Sequence, residues 1–297
     1  MQENFFNLFR KTAHLVSGKG LGRLPYASSI YKFFYNGLKP TGIIEVRADG
    51  HSFYINATDT GLTPPLLMHG EFAPTETTLF KNIIKPGMVF VDIGANIGYF
   101  TLMAARLVGE TGKVYAFEPD TEHFNLLEKN VHKNSYTNIV PVKKAASDSI
   151  GTASFYLKKD NLCAHSLIPD ESSTKVTVEV TTIDEYFKNQ SKVDVIKVDV
   201  EGVEPKVLAG MKNIISANNK MVILTEFFPS ALKESGAEPS SYLLELIDMG
   251  FMLYRVTEDT QKNLIPITIE MIPAISKGEG IHKLINILCL KNWDLVT

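Results

Sequence analysis

The sequence predicts an α/β fold in which a mostly parallel sheet carries helices on both faces. Strand-like and helix-like segments alternate from residue 89 onward, and such alternation is typical of parallel strands linked by helices. The chain has 297 residues, of which 44% are hydrophobic and 21% are charged. A chain of this length and composition can bury one large core and a smaller appendage. We therefore expect one main domain with an extension.

The extension is predicted to span residues 1–64 and to combine a helical cap with a β-hairpin. Two strand-like runs, residues 43–46 and 53–55, lie on either side of the turn-forming pair Asp49-Gly50. This pattern is typical of a hairpin. We expect the hairpin to precede the main domain.

The main domain is predicted to span residues 65–297 and to contain seven core strands. We place these strands at residues 89–93, 114–118, 139–142, 193–198, 221–225, 252–256 and 284–290. Helices are expected over residues 76–84, 205–215 and 240–249, and from Gly98 and Thr121 onward. Two further strand candidates, residues 153–157 and 176–182, bracket a polar segment and predict an insertion or a local hairpin.

Charge and cysteine content exclude several classes of protein. The formal net charge of -3 argues against a general attraction to nucleic acid, so no nucleic-acid partner is expected. The two cysteines, Cys163 and Cys289, belong to no pairing or zinc motif and predict two reduced thiols. Neither a bilayer-spanning apolar run nor the pattern of a secretory signal is present, which favours a cytoplasmic protein.

The first 40 residues are basic and aromatic. They contain six Lys and Arg against the single acid Glu3, together with two clusters of apolar side chains near residues 5–9 and 30–34. Basic amphipathic helices can lie on anionic membranes. We expect these side chains to pack on the main domain as a cap, and we retain peripheral membrane contact as a second hypothesis.

A glycine-containing turn predicts a cofactor site. The apolar strand at residues 89–93 leads into Gly94 and Gly98, and a helix follows. Glycines let the backbone approach a ligand closely, and the start of the helix offers free N–H groups to a carboxylate. Glu118 follows the turn by about 20 residues, where an acid can accept the ribose hydroxyls of an adenosine cofactor. This pattern fits both NAD and S-adenosylmethionine.

Two details of the turn favour S-adenosylmethionine. The turn has one glycine fewer than the dinucleotide-binding pattern G-x-G-x-x-G. Asp92 precedes it by two residues and could orient an ammonium group, which NAD lacks.

Three motifs together resemble the FkbM family of S-adenosylmethionine-dependent methyltransferases. They are VFVDIGANIGYFT, VYAFEP and IKVDVEGVEPKVLAG, in that order along the chain. The resemblance implies the Rossmann-like class I methyltransferase fold, usually a seven-stranded sheet with one antiparallel strand. It also implies methylation of hydroxyl groups on sugars, glycans or natural products, so that a small molecule or glycan is the expected acceptor.

The resemblance also assigns residues to the cofactor. The methionyl part would contact Asp92, Gly94, Asn96 and Gly98, and the ribose would contact Glu118. The adenine edge would contact the stretch from Ala145 through Ala146 and Ser147 to Asp148. Glu71, before the first core strand, would face the cofactor.

Acidic residues at predicted strand ends are the catalytic candidates. Ligands of open α/β sheets lie beyond the carboxyl ends of the strands, so Asp199, Glu201 and Glu226 should project toward the methyl group. Each could accept the proton of an acceptor hydroxyl. The same three acids could instead hold a divalent cation such as Mg²⁺, which the resemblance does not support. We expect Glu204 to interact with a helix dipole.

Histidines add little to the predicted chemistry. His165 could be a base at the acceptor, but an ordinary structural role is preferred for it and for His69. No histidines have the spacing of a zinc motif, so no metal site of that kind is expected.

Two alternative functions stay open from the sequence. One is a nicotinamide-dependent oxidoreductase on a related sheet, which the turn and the Asp199-Val200-Glu201-Gly202 loop fit poorly. The other is a non-catalytic, membrane-associated component of glycan assembly, suggested by the basic aromatic N-terminus.

Overall fold

A computed structural model describes residues 2–16, 27–158, 165–190, 192–259, 263–280 and 283–293. Cys163 and two of the basic residues near the N-terminus, Lys19 and Arg23, lie outside these ranges. Cys289 is a buried free thiol.

The strands and helices follow one another along the chain as an extension, an alternating core and a final antiparallel part. The strands are β1 (Ile43–Ala48), β2 (His51–Asn56), β3 (Val89–Ile93), β4 (Lys113–Phe117), β5 (Ile139–Val142), β6 (Ala145–Ala146), β7 (Gly151–Leu157), β8 (Thr174–Thr181), β9 (Val195–Val198), β10 (Met221–Phe227), β11 (Met252–Val256), β12 (Leu264–Ile267) and β13 (Ile285–Lys291). The helices are α1 (Gln2–Val16), α2 (Ala27–Leu38), α3 (Thr63–His69), α4 (Pro74–Ile83), α5 (Tyr99–Val108), α6 (Thr121–Lys133), α7 (Ile183–Tyr186), α8 (Glu204–Ala209), α9 (Lys212–Ala217), α10 (Pro229–Glu234), α11 (Pro239–Asp248) and α12 (Ile272–Lys277).

The main sheet has eight strands in the order β12-β11-β13-β10-β9-β3-β4-β5. Strands β10, β9, β3, β4 and β5 pair in parallel, whereas β13 is antiparallel to both β10 and β11. This topology confirms the predicted α/β fold with a mostly parallel sheet. The eighth strand, β12, was not among the seven predicted. It contains Pro266 and lies at the sheet edge, where a residue without an N–H is tolerated.

Helices cover both faces of this sheet. Along β3 every residue is buried, and alternate side chains enter two different apolar clusters. Phe90 packs with residues of α4, α5 and α6 on one face, whereas Val91 packs with residues of α8, α9, α11 and α12 on the other. A strand buried on both faces reads as a continuous apolar run, which explains why β3 was recognised from the sequence.

Two predicted boundaries were wrong. The single helix expected over residues 205–215 is two short helices, α8 and α9, separated at Gly210 and Met211. The chain passes so close to Ser147 here that a Cβ on Gly210 would lie 2.0 Å from the Ser147 carbonyl oxygen. Strand β10 extends to Phe227, so Glu226 lies within the strand and not after it.

The two additional strand candidates form a separate small sheet. Strands β7 and β8 pair antiparallel along their whole length, as a local hairpin requires, and β6 adds to β8 in parallel. A bridge between Tyr156 and Ser166 holds the middle of the connecting segment beside β7.

The N-terminal helices and the hairpin pack against the main domain. Phe6 of α1 and Tyr35 of α2 are buried in the same apolar cluster as α5 and α6. The guanidinium of Arg10 donates a hydrogen bond to the carbonyl of Leu67 in α3. In the part of the chain that the structure describes, no helix combines the length and the apolarity that crossing a bilayer would need.

Asn130 of α6 and Asn134, the residue that follows α6, hold strand β2. Asn130 accepts a hydrogen bond from the Tyr54 N–H and donates to the carbonyls of Tyr54 and Ile97. One helical turn later, Asn134 makes the corresponding pair of bonds with the backbone of Ser52. The two amides thus replace a neighbouring strand along β2, and Asn130 ties the hairpin to the glycine-containing turn.

We predict that Asn130→Ala lowers the free energy of unfolding by about 3 kcal/mol, because it leaves several buried backbone groups without partners. Asn134→Ala is the matched control, since its amide also bonds β2 but is only half-buried. It should cost about 1 kcal/mol, the ordinary net worth of a hydrogen bond. Urea unfolding followed by circular dichroism measures both changes, and equal losses in the two variants would contradict the prediction.

Candidate active site

A cleft opens at the carboxyl ends of β3, β4, β9 and β10. Its walls come from the turn after β3, the residues after β4, the loop after β9 and the small sheet. The polar residues of the lining are Asn96, Tyr99, Glu118, His123, Lys144, His165, Lys197, Asp199, Glu201 and Glu226. Because the carboxyl ends of parallel strands meet at one sheet edge, residues distant in sequence come together here.

The turn after β3 follows a backbone path that glycine makes possible. Gly94 has a φ of 81°, and Gly98, which precedes α5, has a φ of 91°. A Cβ on Gly94 would lie 1.9 Å from the carbonyl oxygen of Asp199. A Cβ on Gly98 would instead meet Leu127 of α6 at 2.6 Å. Gly94 therefore sets the distance between two loops of the cleft, whereas Gly98 allows a helix to pack.

Glu118 lies just after β4 and is buried at the base of the cleft. One carboxylate oxygen accepts a hydrogen bond from the Asn96 N–H at 2.8 Å, and the other accepts from the Asp120 N–H at 2.9 Å. Burial raises the pKa of Glu118, and the neighbouring His123 and these N–H groups oppose that rise. Each oxygen keeps a further lone pair, so the carboxylate can accept two more hydrogen bonds from one ligand.

Asp92 is buried beneath the turn and does not line the cleft. One of its carboxylate oxygens accepts a hydrogen bond from the Thr101 hydroxyl at 2.6 Å. The other oxygen has no hydrogen-bond partner and lies 3.9 Å from the ammonium nitrogen of Lys197. Burial raises the pKa of Asp92, and Lys197 opposes the rise.

Lys197 is a residue of the cleft that the sequence analysis missed. It lies on the buried strand β9, and its ammonium group is 2.9 Å from a carboxylate oxygen of Asp199. Burial lowers the pKa of Lys197, but the carboxylates of Asp199 and Asp92 outweigh this effect and raise the pKa above its ordinary value. The sequence did contain a feature that could have indicated Lys197, namely a charged residue inside the apolar run Val195–Val198. A buried lysine needs an anionic partner, so acidic residues would be expected nearby.

The three predicted catalytic acids come together. Oxygens of Asp199, Glu201 and Glu226 lie within 4.8 Å of one another, near enough to share a cation. Burial, followed by the charge of Asp199, raises the pKa of Glu201 to about 8 and that of Glu226 well above its ordinary value. Both shifts favour the protonated forms of the two glutamates, and Asp199 already forms an ion pair with Lys197. A cation would have to displace those protons.

The loop that carries Glu201 is held in an uncommon conformation. Glu201 has a φ of 57°, in the left-handed region that non-glycine residues seldom adopt. The buried Glu204 accepts hydrogen bonds from the N–H groups of Val200 and Gly202 and so fixes the loop on both sides. Glu204 is the first residue of α8, in agreement with its predicted place at the start of a helix. In addition, it anchors the loop.

Several predicted cofactor contacts do not line the cleft: Asp92, Gly98 and Ser147 lie behind its wall, and Asp148 and Glu71 are exposed elsewhere. Ala145 and Ala146 form part of its wall, but Asp148 is exposed beyond β6 and accepts hydrogen bonds from Ser147 and Ser149. Glu71 is also exposed, whereas its neighbour Phe72 lines the cleft. Being next to a motif in sequence did not fix the direction of either side chain.

Two histidines, by contrast, do line the cleft. His123 of α6 stacks on His165 with 5.3 Å between ring centroids. The Lys158 N–H donates to the Nδ1 of His165, and burial lowers the pKa of that imidazole. His165 is therefore a neutral group that can donate a hydrogen bond from Nε2. His123 was missed because nothing in its local sequence distinguishes it from other helical residues.

We predict that Gly94→Ala destabilises the protein by at least about 2 kcal/mol more than Gly236→Ala, because overpacking adds to backbone strain. Both glycines have a φ near 80°, but no atom lies within 4 Å of a Cβ on Gly236. Chemical unfolding of the two variants separates the clash from the strain. Equal destabilisation would show that the contact with Asp199 imposes no constraint.

Comparison with known proteins finds methyltransferases that resemble part of this chain. AglP, a hexuronic acid methyltransferase of Haloferax volcanii, is 30% identical over 137 residues, which are 46% of this chain and 54% of AglP. This chain thus spans about half the length of that relative. Methyltransferase sdnD of Sordaria araneosa is 26% identical, with 48% of this chain and 68% of that protein covered. The crystal structure of TYW2 of M. jannaschii in complex with AdoMet superposes with a TM-score of 0.45 and 14% sequence identity. The match covers 84% of this chain and 86% of the TYW2 chain.

The sequence model of the methyltransferase FkbM domain matches residues 92–253. This range begins at Asp92 in β3 and ends within β11, so it contains the turn, Glu118 and the acidic loop. It covers more than half of the chain. The protein therefore belongs to the FkbM methyltransferase family.

Proposed function

We propose that this protein is an S-adenosylmethionine-dependent methyltransferase that methylates a hydroxyl group of a sugar. The observation that carries the proposal is the buried Glu118 carboxylate beside the glycine-containing turn. Both of its oxygens are held in place by backbone N–H groups and keep lone pairs free. A diol such as the ribose of adenosine matches these two acceptors.

The remaining residues of the cleft fit the other parts of the cofactor. Ala145 and Ala146 offer an apolar wall to the adenine. The carboxylate of Asp199, which lines the cleft beside Gly94, suits the ammonium group of the methionyl part, and the buried Asp92 would act on it only through Lys197. When bound, the cofactor supplies an electrophilic methyl group attached to a positively charged sulfur. The carboxylates around the cleft also complement that positive charge.

The acidic group is proposed to bind and activate the acceptor. Methyl transfer to oxygen needs the acceptor oxygen held in line with the methyl group, and the hydroxyl must lose its proton. Glu201 is the proposed base, because it lines the cleft on a loop that Glu204 holds rigid. The neighbouring Glu226 and His165 can orient the other hydroxyls of a sugar by hydrogen bonds.

The charge of the cleft favours a hydroxyl acceptor over a carboxylate acceptor. AglP is named for a hexuronic acid, so either group of such a sugar could be the acceptor. In this chain three carboxyl groups surround the proposed acceptor position, and Lys197 is already paired with Asp199. A substrate carboxylate placed there would be repelled as soon as the glutamates ionise. A neutral hydroxyl group would not be repelled.

The cofactor is tested by titrating S-adenosylhomocysteine into the protein, alongside NAD and an analogue of S-adenosylhomocysteine that lacks both ribose hydroxyls. We expect the protein to bind S-adenosylhomocysteine about ten- to a hundredfold more tightly than the analogue, the worth of hydrogen bonds to a charged group. This preference should disappear in Glu118→Gln and persist in the control Glu122→Gln, whose side chain bonds Asn56 on the surface. Binding of NAD alone would contradict the proposal.

The base is tested by the pH dependence of methyl transfer. Because the pKa of Glu201 is raised to about 8, its carboxyl group holds a proton below that pH and accepts one only above it. The rate should therefore rise with pH and level off above about pH 8. In Glu201→Gln the rate should fall by about a hundredfold or more, the usual contribution of a general base. The exposed Glu171→Gln serves as the control and should keep the wild-type profile.

The same assay identifies the bond that is formed. Labelled methyl groups are transferred from S-adenosylmethionine to a panel of methyl hexopyranosides and hexuronic acids, and the products are treated with alkali. A methyl ether survives this treatment, whereas a methyl ester is hydrolysed. Label that is released by alkali would contradict the hydroxyl acceptor while leaving the proposed cofactor intact.

A further inference from the structure

Helices α1 and α2 leave a set of large apolar side chains uncovered. Phe33 is the most exposed of them, at 75% of its surface. We call this set the aromatic face; its members are Phe5, Leu8, Ile30, Phe33 and Phe34. A continuous exposed apolar surface on a folded protein usually marks an interaction site.

The aromatic face is not left over from poor packing of the two helices. The side that faces the main domain is well packed, because the buried Phe6 packs against the buried Tyr35 with 6.1 Å between ring centroids. Phe9 of α1 joins the two helices, since it contacts Tyr31 at 5.5 Å and Phe34 at 6.5 Å. On α2 the exposed Ile30, Phe33 and Phe34 have the spacing that brings side chains to one side of a helix. The helices are thus fixed to the main domain by one side and present a second apolar side outward.

Charge is distributed very unevenly between this region and the rest of the chain. Residues 1–40 contain six Lys and Arg and one Glu, whereas residues 41–297 contain 24 basic and 32 acidic residues. Exposed Lys11 and Lys32 belong to the same helices as the aromatic face. An acidic body with one basic, aromatic end would approach an anionic surface by that end.

We propose that the aromatic face binds the surface of an anionic lipid bilayer. Basic amphipathic helices with exposed Phe and Leu enter the boundary between headgroups and acyl chains, and their lysines attract anionic lipids. A second copy of the chain is the less suitable occupant. Two aromatic faces that met each other would also bring two positively charged extensions together. The proposal is independent of the methyl-transfer reaction.

The experiment is flotation of the full chain with vesicles of phosphatidylcholine alone or with one third phosphatidylglycerol. We expect binding to the mixed vesicles, at least tenfold weaker binding to pure phosphatidylcholine, and a decrease with added salt. The double variant Ile30→Ala and Phe33→Ala should lose at least tenfold of the binding. Its matched control is Ile150→Ala and Ile269→Ala, since Ile150 and Ile269 are 65% and 59% exposed elsewhere on the chain.

Several outcomes would overturn the proposal. They are absence of binding to the mixed vesicles, equal loss in the two double variants, and full binding by the variant of the aromatic face. Sedimentation velocity without lipid tests one more outcome. If the wild type is a dimer and only the aromatic-face variant is a monomer, the face binds a second copy of the chain and the proposal is wrong. Both variants should have the same midpoint of thermal unfolding as the wild type, which would show that loss of binding does not result from loss of the fold.

Discussion

The contact between Gly94 and the carbonyl of Asp199 constrains the whole site. Strands β3 and β9 are neighbours in the sheet, and the Asp199 N–H donates to the carbonyl of Ile93, so the two loops leave the sheet side by side. No side chain fits between them at this point. The turn that would hold the cofactor and the loop that carries the acids are therefore parts of one rigid unit. The relative position of cofactor and acceptor follows from the backbone.

Within that unit, the electrostatics depend on a single buried ammonium group. Lys197 lies between Asp92 and Asp199 and forms an ion pair with Asp199. Burial and the charge of Asp199 raise the pKa values of the neighbouring Glu201 and Glu226. A carboxylate can attract a positively charged ligand, and a protonated glutamate can donate a hydrogen bond to a sugar. Carboxyl groups with raised pKa values are characteristic of sites that carry out proton transfer.

What the sequence could predict was local, and what it missed depended on contacts between distant segments. The bounds of β3, β5 and β11 were predicted correctly because each is a short, mainly apolar run that ends at polar or turn-forming residues. Glu118 was found because its distance from the glycine-containing turn is set by one strand-helix-strand unit. The break at Gly210 was missed because the close approach to Ser147 at this point joins segments more than 60 residues apart in sequence. The positions of Glu71 and Asp148 were missed because a motif gives no side-chain direction.

The bonds that Asn130 and Asn134 make with β2 have a consequence for the behaviour of the protein in concentrated solution. A strand at the rim of a two-stranded ribbon normally displays a row of vacant donors and acceptors, which another chain can adopt as a template. In β2 the amides of Asn130 and Asn134 occupy that row from within the same molecule. The outer edge of β2 is thereby closed to pairing with a strand of another molecule. Helix α6 and the Asn134 that follows it thus cover one edge of the hairpin, in addition to the contacts that α6 makes in the core.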